Sequence, residues 1–307
     1  MVEETSVPTV EKETSPASAL PGESKRAARV KESLQVLGLT LLAALILRAF
    51  VIEAFRIPTS SMSGTLLVGD FLLVNKVIYG STSPRTIPFT NIPLPHFSLP
   101  AVQRPKTGDV MVFIFPGYPD QRAAIENASY VKRCIGTPGD TILIQDKMVF
   151  VNGRELLFPR HALVNPVSVT PRGAADNSIF PRGSSFNRDN YGPLIVPKKR
   201  DIISLTKESL RRWKVFIERE GHAVEENGQG QVMVDGKFMD TYSVEKNYYF
   251  VMGDNRDDSL DSRFWGFVAD DLIVGKVMMA YWSWDESKNE GGLLTQIRWD
   301  RIGMMVH

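Results

Sequence analysis

The four histidines, His96, His161, His222 and His307, sit in polar or terminal contexts, and no Gly-x-Ser-x-Gly element occurs. A histidine-assisted serine therefore has no support. One cysteine, Cys134, and scattered histidines provide no metal-ligand spacing, so no metal or cofactor is expected. Serine and lysine remain. Three segments interrupt apolar strands with polar and tight-turn residues: Arg56-Ile-Pro-Thr-Ser-Ser-Met62, Tyr130-Val-Lys-Arg133 and Gly253-Asp-Asn-Arg-Asp-Asp-Ser-Leu-Asp-Ser-Arg263. A serine hydroxyl becomes a nucleophile when an uncharged lysine accepts its proton. Free lysine titrates near ~10.4, so burial must supply the neutral amine. Chemistry alone does not separate Ser60 from Ser61.

Taken in order, these segments resemble the type I signal peptidase family. The likeness covers most of the chain after Leu34: an apolar span, Ile57-Pro-Thr-Ser-Ser-Met62, Thr65-Leu-Leu-Val-Gly-Asp-Phe71, Gly108-Asp109, Tyr130-Val-Lys-Arg133, Gly136-Thr-Pro-Gly-Asp140 and the block from Gly253 to Gly266. The resemblance implies a serine endopeptidase that removes signal peptides of exported preproteins after Ala-x-Ala-like sites. It places the nucleophile at Ser61 and the general base at Lys132. It gives oxyanion donors at the Ser61 N–H and the Thr59 hydroxyl, and a lysine-orienting hydroxyl at Ser259. It puts Ile57, Pro58, Met62, Leu66, Tyr130 and Val131 around the substrate, although as apolar residues they fit a core equally well. Asp254, Arg256, Asp261 and Arg263 are read as an ion-pair and turn scaffold. The chain departs from the family pattern at Gly64, where proline is common, and at Asp258, where asparagine is common.

Two other readings use the same residue types. Ser204-Leu-Thr-Lys207 and Lys106-Thr-Gly108 copy elements of penicillin-binding enzymes, but in reversed order and without Ser-Asp-Asn between them. A self-cleaving Ser/Lys repressor-type protease would carry a DNA-binding domain in place of an apolar span. A non-enzymatic reading, a membrane-bound β module that binds secreted peptides, leaves the Ser61, Lys132 and Ser259 constellation without a purpose.

The elements that must position these residues follow from patterning. Residues 1–29 begin with a Glu/Thr/Ser/Pro/Ala-rich tail, expected to be disordered, and end in a basic cluster, Lys25, Arg26 and Arg29, with Lys31 just beyond. Residues 30–55 are read as one transmembrane anchor, with Arg48 near the far interface. The cluster before the span predicts a cytoplasmic N-terminus and an extracytoplasmic catalytic domain at the inner membrane. The competing reading, a cleaved signal sequence, lacks a small-x-small site directly after the apolar run. Beyond it, short β-branched and aromatic runs alternate with Gly-Asp, Pro-Gly and Asn-Gly turns. The expected fold is mainly β: an antiparallel catalytic domain (56–154 and 246–307), an inserted α+β subdomain (155–245) with a helix at Thr206–Gly221, and the anchor. A proline-crowded stretch, Pro84 to Pro105, reads as an excursion between strands. Thirty-six basic against thirty-five acidic residues leave a net charge of +1, which offers no field for nucleic acid. Expected partners are signal peptides, membrane lipid and the secretion translocon, with the enzyme a monomer.

Overall fold

The computed structural model describes residues 21–80, 99–118, 121–122, 124–227, 229–288 and 292–307. Most of the proline-crowded stretch, residues 81–98, and the first twenty residues lie outside them. The chain divides into two compact units, residues 1–47 and 48–307.

The first unit contains most of a helix, α1 (Pro21–Phe50). Proline suits the first helical position, where its missing N–H has no partner to lose. Within it, Arg29–Phe50 has a mean hydropathy of 1.9 and no buried residue, long and apolar enough to cross a membrane. The helix starts eight residues before the expected end of the tail, because Glu, Lys, Arg and Ala are strong helix formers. It also stops before residue 55. Residues Ile52–Arg56 form a strand, β1, pairing residue for residue with Asn75 to Phe71 of β2 (Asp70–Asn75). Apolar residues in a short run do not distinguish helix from strand, and here the pairing partner decides.

The main sheet of the second unit is antiparallel. From one edge its order is β1, β2, Ile273–Ser283, β3 (Val110–Phe115), β4 (Ile125–Gly136), Tyr248–Met252 and Val268–Ala269, with Met304–Met305 pairing onto Ile273–Ser283. Both faces are covered. Leu72, Val74, Val110, Val112 and Val277 pack on one side with Ile57, Met62 and Leu66. Met111, Phe113, Phe115, Cys134 and Trp265 pack on the other. Period-two alternation along β3 divides its side chains between the two layers. Cys134 is fully buried, and burial pushes its thiol pKa up, so it is a packing residue and not a nucleophile.

Residues 141–245 form an α+β lobe with a four-stranded sheet, β5 (Thr141–Gln145) to β8 (Tyr191–Ile195), in the order β7 (Arg154–Leu156), β6 (Met148–Val151), β5, β8. It therefore begins before residue 155, since β5 and β6 pair with β7 and β8 and not with the main sheet. Its helix α2 (Lys207–Arg219) starts at a capping box in which Thr206 and Ser209 exchange side-chain bonds. Leu210 and Ile217 are buried as their spacing predicts, and Trp213 is half-buried. The lobe has no core of its own. One cluster runs from Ile135 through Ile142, Tyr191 and Phe216 to Tyr248, Phe250 and Phe267.

Candidate active site

Ser61 lies in a single 3-10 turn, Ser60–Met62, on the loop joining β1 to β2. The loop is closed at its base by Ile57 N–H to Asp70 O (2.8 Å) and Gly69 N–H to Ile57 O (2.9 Å). Asp70, fully buried, accepts Leu67 N–H (2.8 Å), Ser283 Oγ–H (2.7 Å) and Arg301 Nη2–H (2.6 Å). Met62 and Leu66 point into the core, whereas Ser61 stays partly exposed. As the second residue of a helical turn, Ser61 has an N–H with no intrahelical acceptor. Thr59 makes no capping bond, and its hydroxyl sits 3.5 Å from Ser61 Oγ. Ser60 is engaged elsewhere, donating to Asp258 Oδ2 at 2.6 Å.

Lys132 is on β4 opposite Met111, and its Nζ lies 2.6 Å from Ser61 Oγ and 3.2 Å from Val131 O. It is 3% exposed. Burial pushes its pKa down to about 8, with the charges of Asp261 and Asp254 pulling weakly the other way. Those two carboxylates are already matched. Asp254 is held by Arg133 through Nε (2.9 Å) and Nη2 (2.7 Å) and by Thr65 Oγ1–H (2.6 Å). Asp261 is held by Arg263 through Nε (2.9 Å) and Nη2 (2.8 Å). Burial alone would raise the Asp261 pKa, but Arg263 and the Gly253 N–H keep it below the ordinary carboxylate value. The lysine thus feels mainly the loss of water.

Residues 30–282 match the family model described as signal peptidase, peptidase S26. The chain belongs to that family. It is 31% identical to the signal peptidase I of Buchnera aphidicola subsp. Acyrthosiphon pisum, covering 85% of this chain and 77% of that one. It is 34% identical to that of Pseudomonas fluorescens (81% and 71% covered) and 29% identical to that of Aquifex aeolicus (83% and 85% covered). Family membership makes the chain a serine endopeptidase that acts on signal peptides.

In this signal peptidase the other residues singled out in the sequence divide. Pro58 is exposed, and Tyr130 and Val131 keep surface beside Lys132. Tyr130 stacks on Phe115 (centroids 4.5 Å apart) and lies 5.5 Å from Lys132 Nζ. Ile57, Met62 and Leu66 are instead core residues, at most 3% exposed, so they shape the loop from beneath and offer a substrate no surface. Ser259 makes no hydrogen bond to Lys132. Its hydroxyl is buried beside Asp261 and helps to hold that carboxyl below its ordinary value. Of the four residues read as an ion-pair and turn scaffold, Arg256 joins no ion pair among the described residues, and Asp254 is taken by Arg133.

Three contributors escaped the sequence reading although two lie inside the block it quoted. Asn255 donates its backbone N–H to Ser61 O (3.1 Å) and its side-chain amide to Ser60 O (3.2 Å), fixing the nucleophile's turn. Lys147, at the β5–β6 turn, pairs with Asp257 and so ties the lobe to the block. Gly253 packs where no side chain fits, since a Cβ there would collide with both Ser61 O and Ser259 Oγ. Space, not backbone angle, demands glycine at this position. Gly253→Ala is expected to displace Ser61 and cut cleavage by about 10²-fold or more, because a misplacement of about 1 Å costs that much; full activity in an initial-rate assay would contradict this geometry. Gly64 answers the departure noted above: its φ of +96° is closed to proline, and a Cβ would strike His161 O.

Proposed function

We propose that Ser61 and Lys132 form the catalytic dyad of a membrane-anchored signal peptidase that cleaves preproteins after Ala-x-Ala-like sites by an acyl-enzyme route. The observation that carries this reading is the 2.6 Å contact between Lys132 Nζ and Ser61 Oγ, with the amine pushed down to about 8 by burial. Neutral Lys132 accepts the Ser61 proton as Oγ attacks the scissile carbonyl. The Ser61 N–H and Thr59 Oγ1–H stabilise the oxyanion. The proton passes from Lys132 to the leaving amine, which departs, and Lys132 then activates the water that releases the acyl group. Ser259, Asp254, Asp261 and Arg263 act as positioning residues behind the dyad. The substrate adds as an extended strand beside Pro58, Tyr130 and Val131, with main-chain pairing giving register and pockets selecting small side chains.

The span Arg29–Phe50 serves as the anchor, N-terminus inside, because the basic cluster precedes it. The division into domains that we propose is tail and anchor to Phe50, catalytic sheet, and a lobe at 141–245.

Cleavage of a purified preprotein in detergent tests the dyad. Ser61→Ala is expected to lose turnover by about 10⁶-fold, as removal of a nucleophile does elsewhere, while Ser60→Ala stays within about tenfold because its hydroxyl is engaged with Asp258. The opposite ranking would sink the assignment, and cleavage by the double variant would exclude both serines as the nucleophile.

A further inference from the structure

A cavity of about 740 Å³, lined by neither Ser61 nor Lys132, lies between residues 156–161, the segment 304–307 and Arg256 of the Gly253 block. Its walls carry Arg133, Arg160, Arg256 and Arg301, and among the described residues no Asp or Glu. Two of these cations are matched, Arg133 by Asp254 and Arg301 by Asp70. The other two are not. Arg160 is exposed and has no ion-pair or hydrogen-bond partner among the described residues. Arg256 is 4% exposed, and its Nε and Nη1 are buried without a hydrogen-bond partner among the described residues.

Such a side chain needs an explanation. A buried guanidinium without an acceptor is costly, and proteins place one where a counter-charge is to come. The position is built, not incidental: the guanidinium sits 5.1 Å from the Phe158 ring centroid, the Arg256 N–H donates to Leu163 O (2.9 Å), and the Arg256 carbonyl accepts Arg263 Nη2–H (2.8 Å). Burial and the neighbouring Arg263 charge lower the Arg256 pKa to about 10 against the opposing pull of Asp254 and Asp261, so it stays protonated at neutral pH.

We infer that this cavity is a binding site for a phosphate-class oxyanion, held by Arg256 and Arg160. Guanidinium forks match the oxygen spacing of phosphate and bind it bidentately. The remaining wall mixes Thr65, His161 and His307 with apolar residues, of which Leu157 and Met305 are exposed. The oxyanion can therefore arrive free or as the headgroup of a lipid whose chain covers those residues. The site touches the reaction centre through the main chain, since Leu163 N–H donates to Asp254 O (2.8 Å).

The test uses the full chain in a neutral detergent, with the thermal midpoint followed at constant ionic strength against inorganic phosphate, dihexanoyl phosphatidylglycerol or dihexanoyl phosphatidylcholine. A ligand of the native state raises the midpoint in a saturable way. Equal effects of phosphate and the anionic lipid assign a free anion, and a stronger effect of the anionic lipid assigns a headgroup. Either supports the site, provided phosphatidylcholine is inert. Arg160→Ala, at the exposed rim, should fold, keep its basal cleavage rate and weaken binding by about tenfold, the loss of one charge-assisted contact; Arg256→Gln should weaken it further. No stabilisation by either anion, or an unchanged titration in Arg160→Ala, overturns the inference even if Arg256→Gln does not fold.

Discussion

Lys132→Met is expected to abolish preprotein cleavage, by about 10⁴-fold or more, and at neutral pH to make the fold more stable. The two effects share one cause. The native-state lysine is pushed down to about 8 from an unperturbed 10.5. Below pH 8 the amine is protonated in both states, and the folded protein bears the full cost of a buried ammonium. Between about 8 and 10.5 the unfolded chain binds a proton that the native state has released, so stability rises with pH and the cost is relieved. The shift corresponds to about 3 kcal/mol at neutral pH, equivalent to a rise of several degrees in thermal midpoint for the methionine variant. The same titration sets the acid limb of kcat/KM, which should rise toward a plateau above pH 8. Thermal melts of wild type and variant from pH 6 to 10 would show the stability gap closing on the alkaline side. A methionine variant less stable than wild type at pH 7, or a kcat/KM limb governed by a group titrating near 6, would remove the buried lysine from the mechanism.

Arg133→Met carries the second large effect, on stability. Its guanidinium meets Asp254 through two hydrogen bonds and also donates to Gly108 O (2.6 Å) and His307 O (2.8 Å). Asp254 is fully buried. Truncating the arginine leaves an uncompensated carboxylate in the interior, for about 3–5 kcal/mol. The double variant Arg133→Met/Asp254→Leu should recover much of that loss in denaturant melts, since a buried pair exchanged for apolar groups is often neutral. Recovery of stability without recovery of cleavage would separate the pair's two tasks: carrying its own charge indoors, and holding the strand end beside Lys132 in place. A double variant as unstable as the single one would show that the hydrogen bonds to Gly108 and His307, not the ion pair, carry the energy.

Much of this was readable from the chain because each functional segment is local. Ser61 and Lys132 each stand in a short motif that carries the family resemblance, and strand alternation predicts that Arg133 is directed away from Lys132. The helix α2 was visible from Leu210, Trp213 and Ile217. What escaped depends on contacts distant in sequence. Whether Leu66 faces a substrate or a core is decided by Val74 and Val277, which no spacing reveals. Asp254 could have paired with Arg256 two residues away, yet its partner lies 121 positions back. The lobe boundary was misplaced because β5 and β6 read as strands without indicating which sheet they join.

The shared cluster beneath the lobe has a consequence for attempts to miniaturise the enzyme. Tyr248, Phe250 and Phe267 belong to the catalytic sheet and its flank, yet they are covered by Tyr191 and Phe216 from the lobe. Excising residues 141–245 would bare a contiguous aromatic face on the strand beside β4. A patch of that kind on a soluble protein is an aggregation surface. The lobe is therefore a structural wall of the protease and not a detachable accessory, and any shortened version must supply a substitute lid of comparable apolar area.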